Sequence, residues 1–169
     1  MEEEVKILHK AIGMEEFGFY YYKKLEKAVD NQEGKALLVF LANAEKEHRE
    51  TLEKMLGEFG EKPESEPLEK LVDNIIMNPG IQRVFKDLME KKKITDVDAV
   101  EAVKLGIDVE KKSIEFYSKN AQSVVKPEMA ELFTNLTEME EGHLKILEQN
   151  LRNLQSEGMW YGYVPILEG

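Results

Sequence analysis

Glu45 and His48 stand three residues apart, and the same pair returns as Glu140 and His143. A lone glutamate precedes each pair by 30 positions, Glu15 and Glu110, so every member is offset from its twin by 95. Residues at i and i+3 point to the same side of a helix, so each Glu-x-x-His can grip one edge of a metal ion. Two helices with one glutamate each and two with Glu-x-x-His make the ligand set of a carboxylate-bridged dinuclear metal site inside a four-helix bundle. Four carboxylates gathered in a bundle core repel one another strongly, and two divalent cations cancel their charge. The neutral imidazoles of His48 and His143 can complete one terminal position on each ion. Oxygen-rich ligation with one histidine per ion suits iron or manganese better than structural zinc.

Glutamate is abundant in this chain, so a single Glu-x-x-His would carry little weight against a surface pair. Register separates the two readings. Shifted by the same offset, Glu16 falls on Lys111, Glu47 on Gly142 and Asn43 on Glu138. Glu15/Glu110, Glu45/Glu140 and His48/His143 survive the shift and also fall on apolar helix faces.

The elements that must carry these residues follow from helical periodicity. Leu8, Ile12, Glu15, Phe19 and Tyr22 lie on one helix face, and their twins Val103, Ile107, Glu110, Ile114 and Tyr117 repeat it. Leu38, Leu41, Glu45, His48 and Leu52 are repeated as Phe133, Leu136, Glu140, His143 and Leu147. The candidate ligands therefore interrupt apolar stripes. A first helix is predicted from Glu3 to Val29, ending in the Asp30-Asn31 turn, and a second from Gly34 to Leu56, stopping at Gly57. The polar, turn-rich stretch Glu58–Pro67 reads as a loop. Leu68–Met77 and Ile81–Lys92 read as two shorter amphipathic helices split by Asn78-Pro79-Gly80. Thr95, with Asp98 three positions on, is placed to cap a third long helix reaching Ala121. Pro127 opens the fourth, which ends near Ser156-Glu157-Gly158.

Tyr22 and Tyr117 sit two turns beyond the lone glutamates on the same face, and two readings stay open for them. Each is either a core tyrosine whose hydroxyl finds a polar partner, or a donor that orients a metal-bound carboxylate. Tyr20 and Tyr21 lie off the repeat and read as packing or surface residues. His9 has no repeated partner and reads as a surface or helix-end residue. The tail from Met159 onward, with Trp160, Tyr161 and Tyr163, is too apolar to lie free in water and is expected to pack on the bundle or on a second copy.

Composition agrees with long helices around a core. Hydrophobic residues make up 42% and charged residues 34%, mostly Glu and Lys, which suits helices with solvated outer faces. A net charge of −11 argues against nucleic acid or an anionic membrane as partner. Lys91-Lys92-Lys93 is the only basic run, and it reads as cations meeting a helix C-terminus. The absence of cysteine excludes disulfides, iron–sulfur clusters and Cys-ligated zinc. Met1-Glu2-Glu3-Glu4 lacks the pattern of a signal peptide, and no apolar run approaches spanning length, so a cytoplasmic location is expected.

At these residues the chain resembles the rubrerythrin-like branch of the ferritin-like superfamily. The likeness rests on MEEFGFYYYKKL and VEKKSIEFYSK around the lone glutamates, and on AEKEH and MEEGH around the Glu-x-x-His pairs. It covers both hairpins, residues 3–57 and 95–156. It implies an all-α, ferritin-like four-helix bundle over residues 1–158, with a long helical crossover (58–94) between the second and third helices and an aromatic tail at 159–169. It further implies a non-haem di-iron centre held by Glu15, Glu45, His48, Glu110, Glu140 and His143. In that family pattern Glu45 and Glu140 bridge the ions, while Glu15 and Glu110 are terminal. The implied activity is reduction of hydrogen peroxide with electrons from a separate donor such as rubredoxin, in a homodimer or higher homo-oligomer.

Two departures stand out. A cysteine-free chain cannot form the rubredoxin-like iron domain of full-length rubrerythrins. Rubrerythrins also place an extra carboxylate near the site, and the positions one turn after the lone glutamates here are Gly18 and Ser113. The six-ligand set equally resembles bacterioferritin ferroxidase centres and manganese catalases. Ferrous iron oxidation by dioxygen for storage or detoxification, manganese-dependent peroxide dismutation, and a helical scaffold that has kept its ligands by descent are the alternative expectations.

Overall fold

The computed structural model describes residues 2–63 and 96–163. Among these, four helices run in chain order: α1 (Glu2–Ala28), α2 (Gln32–Glu58), α3 (Asp96–Ala121) and α4 (Pro127–Glu157). The α1–α2 and α3–α4 hairpins each pack extensively, and they meet through α1 against α3 and α2 against α4. The result is an all-α bundle of the ferritin-like kind. The expected crossover helices Leu68–Met77 and Ile81–Lys92, and the side chains of the Thr95–Asp98 cap, lie outside the described residues.

The helix ends follow local chemistry. α2 starts two residues before the predicted Gly34, because Asn31 acts as its cap and accepts from the Gly34 N–H at 2.8 Å. It also runs past Gly57 to Glu58. An exposed glycine costs a helix only about 1 kcal/mol, and the left-handed exit is made instead by Gly60, at φ 77°. Pro127 suits the first turn of α4, where its missing N–H is no loss. Lys126 supplies no side-chain cap there. Glu4, from the first turn of α1, accepts from the N–H groups of Val125 and Lys126, each at 3.0 Å. α4 closes on left-handed Gly158, whose N–H reaches the Leu154 carbonyl at 3.1 Å.

The apolar core is divided in two. One cluster gathers Tyr21, Tyr22 and Leu25 of α1 with Leu37, Leu38 and Leu41 of α2, Val103 of α3 and Leu147 and Leu154 of α4. The other gathers Leu8 and Ile12 with Leu52 and Leu56, Tyr117, and Met129, Phe133 and Leu136. On every helix the candidate ligands fall in sequence between residues of the two clusters. A polar layer thus crosses the bundle between two apolar ones. Each buried leucine contributes about 1.5–3 kcal/mol, so the two layers offset the cost of placing carboxylates between them.

Candidate metal centre

Each helix delivers its share to this middle layer: Glu15 from α1, Glu45 and His48 from α2, Glu110 from α3, Glu140 and His143 from α4. All six side chains are buried, Glu15 and Glu140 completely. They form two groups, Glu15–Glu45–His48–Glu140 and Glu45–Glu110–Glu140–His143, and within each group the ligand atoms lie within 4.8 Å of one another. Glu45 and Glu140 fall in both groups. Glu15 with His48, and Glu110 with His143, belong to one each.

The histidines face the carboxylates through Nδ1. His48 Nδ1 stands 3.2 Å from both Glu15 Oε2 and Glu140 Oε1. His143 Nδ1 stands 2.9 Å from Glu140 Oε2, 3.5 Å from Glu45 Oε1 and 3.9 Å from Glu110 Oε2. The two imidazoles stack, with centroids 5.5 Å apart and planes 16° from parallel. On the far side, the Tyr22 hydroxyl donates to Glu110 and the Tyr117 hydroxyl donates to Glu15. Each hairpin's tyrosine thus serves the other hairpin's lone glutamate. The pairing runs in opposite chain directions, so α1 and α3 are antiparallel and related by an approximate two-fold axis.

Crowding acidic groups in a dry layer has electrostatic consequences. Burial, then the nearby Glu140, Glu15 and Glu110, pushes the Glu45 carboxyl well above the usual range. Burial and Glu140 push Glu110 the same way. Burial also works against ionised Glu140, but hydrogen bonds from His143 and His48 outweigh it and hold that carboxyl below the ordinary range. Burial disfavours the imidazolium of His48, yet its contacts with Glu140 and Glu15 prevail and raise it to about 10. Glu45 Oε1 is buried and accepts no hydrogen bond. Unpaired buried oxygens are rare because each costs about 1–3 kcal/mol. Four carboxylates, two imidazoles and an orphaned oxygen fit two divalent cations, which would supply the missing positive charge.

The remaining sequence expectations sort clearly. Tyr21 is buried and donates to the Ala102 carbonyl, while Tyr20 is 43% exposed, so both are packing or surface residues. His9 is half-buried on α1 and belongs to neither group. Gly18 has a specific steric reason: a Cβ there would stand 2.8 Å from Glu45 Oε2. Its twin Ser113 is buried.

Asn150 was missed from sequence. It is fully buried, its amide donates to the carbonyls of Ile146 (2.9 Å) and Gly162 (3.0 Å), and its oxygen accepts from Tyr161 N (3.0 Å) and Gly162 N (2.9 Å). The signal was present, because Asn150 lies three residues past Leu147 on the stripe that carries Glu140 and His143. Through this clamp the described part of the tail packs on its own bundle. Trp160 covers Gly34, where a Cβ would come within 2.7 Å of the indole.

A family model described as Rubrerythrin matches residues 6–151. No curated protein sequence matches the chain. Among solved structures, a hypothetical protein from Pyrococcus furiosus superposes with a TM-score of 0.69 at 21% identity, covering 92% of each chain. At that identity the likeness is one of fold. Among the described residues no helix is long and apolar enough to cross a membrane.

Proposed function

We propose that this chain, which belongs to the rubrerythrin family, is a di-iron oxidoreductase that reduces hydrogen peroxide with electrons from a separate donor. The observation that carries the reading is the pair of buried ligand groups sharing Glu45 and Glu140. In this reading Glu45 and Glu140 would be shared between the two ions, Glu15 and Glu110 would each serve one, and His48 and His143 would each give one nitrogen. The chemistry that bound iron would supply is a two-electron reduction, in which peroxide takes one electron from each of two ferrous ions and two protons, and leaves as two waters.

The protein's own groups do the rest. Tyr22 and Tyr117 hold Glu110 and Glu15 in place through their hydroxyls, each keeping a proton against a carboxylate oxygen. The apolar clusters above and below close the layer to water along the length of the bundle.

Anaerobic loading followed by rapid mixing tests the proposal. Two ferrous ions per chain and oxidation by peroxide faster than by dioxygen are expected, with turnover sustained by reduced rubredoxin. No consumption of peroxide by the iron-loaded protein would overturn it. Faster reaction with dioxygen and release of ferric iron would point to a ferroxidase. Oxygen evolution from peroxide by the manganese form, without a donor, would point to a catalase.

A further inference from the structure

A cavity of about 400 Å³ lies between α2 and α4, and both His48 and His143 line it. It therefore reaches the nitrogen side of the candidate centre, opposite the tyrosine pair. Its apolar walls include Phe40, Met139, Ile146 and Tyr163. Tyr163 comes from the tail, outside the helices. Its ring stacks on Phe40 with centroids 3.9 Å apart and planes 10° from parallel. Phe40 in turn stands edge-on to His143 at 5.9 Å.

The tail's position is fixed from several sides. Asn150 holds the backbone of Tyr161 and Gly162 with three of its four hydrogen bonds. Left-handed Gly162 (φ 80°) passes so close to α2 that a Cβ would come within 3.1 Å of Glu33 Cβ. Trp160 sits on Gly34. These contacts make Tyr163 a fixed wall. The rim is acidic, with exposed Glu47 and Glu138 both lining the cavity.

We infer that this cleft is the passage by which peroxide reaches the centre, and that Tyr163, braced on Phe40, is the specificity-determining residue that sets its width. An acidic rim disfavours anions, and two stacked rings narrow an apolar wall. The passage thus favours a small uncharged hydroperoxide over bulky organic hydroperoxides. The inference rests on the functional reading above for its substrate, but on the cavity alone for its location.

The test compares wild type with Tyr163→Ala, Tyr163→Phe and Phe40→Ala. In the metal-free protein, hydroxyl-radical labelling of His48 and His143, which does not require a neutral imidazole, is followed by peptide mass spectrometry, with His9 as internal reference. Tyr163→Ala and Phe40→Ala are expected to speed labelling of both cleft histidines several-fold against His9, whereas Tyr163→Phe matches wild type. In the iron-loaded protein, preference for hydrogen peroxide over cumene hydroperoxide is expected to fall about ten-fold in Tyr163→Ala, the scale on which a hydrophobic wall discriminates by size. Unchanged labelling in both alanine variants overturns the passage. Faster labelling with unchanged preference overturns the role of Tyr163. If iron-loaded wild type ignores peroxide, the functional reading falls, and labelling alone decides the passage.

Discussion

Replacing Glu45 by leucine separates the cost of the candidate centre from its use. The Glu45 side chain is buried, faces three other carboxylates, and leaves Oε1 without a hydrogen bond. In metal-free protein such an oxygen costs about 1–3 kcal/mol. Leucine has a similar volume, needs no partner and relieves the crowding, so replacing an under-partnered buried acid by it is expected to stabilise. Metal-free Glu45→Leu should therefore gain about 1–3 kcal/mol, or roughly 2–10 °C in Tm for a chain of this size. Metal reverses the order. At a thousand times its Kd, a bound ion stabilises the native state by about 4 kcal/mol. The variant, which lacks a carboxylate common to both ligand groups, should gain little. Guanidinium unfolding followed by circular dichroism, with chelator-treated and manganese-saturated samples in parallel, measures both effects. Crossing of the two stability orders is the expected result. The reasoning is refuted if leucine destabilises the metal-free protein, or if manganese stabilises both proteins equally.

Three further outcomes are expected. Tyr22→Phe and Tyr117→Phe each remove one hydroxyl from a lone glutamate, so manganese affinity by calorimetry should fall about ten-fold or more with stoichiometry unchanged; unaltered affinity would make both tyrosines mere core filling. Gly34→Ala places a methyl 2.7 Å from Trp160, which should cost about 1–3 kcal/mol and shift the emission of the chain's single tryptophan to the red; an unmoved spectrum would contradict the described seating of the tail. The Lys126 and Val125 N–H groups hold Glu4 below its ordinary value of 4.5. A depressed native value means the contribution is present above that ordinary value and lost as pH falls through the native one. Glu4→Gln should thus cost about 1–2 kcal/mol at neutral pH and progressively nothing in acid, so a gap in unfolding free energy that is constant with pH would be inconsistent with this bond.

The clustering of the six candidate ligands was legible because duplication converts a weak motif into a register. Glu15 and Glu110, or His48 and His143, could each be chance on a glutamate-rich helix, but both falling on apolar stripes at one offset left few alternatives. The helices were legible for the same reason, since periodicity of apolar residues reports a buried face directly. What periodicity cannot report is contact across elements. Nothing local to Tyr22 says that its partner is Glu110 and not Glu15 on its own helix, because that depends on α1 and α3 running antiparallel. Nothing local to Gly18 says that it makes room for Glu45 on α2. The start of α2 was misplaced because Asn31 suits both a turn and a cap, and only the 2.8 Å bond to Gly34 N decides between them.

The same duplication explains why the tail docks at one end of the bundle and not the other. The twins of Gly34 and Asn150 are Met129 and Met55. Both methionines are buried in the second apolar cluster, where their side chains fill the space between helices. At the opposite end a glycine and an asparagine stand in their place, leaving a gap over α2 and a set of amide hydrogen bonds. Trp160 and Tyr163 pack against the first cluster and supply apolar bulk there. The cleft carries the same asymmetry: Phe40 has Asn135 as twin, and Glu47 has Gly142. Positions where the two halves agree thus build the ligand layer, and positions where they disagree build its approach. The symmetric residues bear on whether metal binds, and the asymmetric ones on what reaches it.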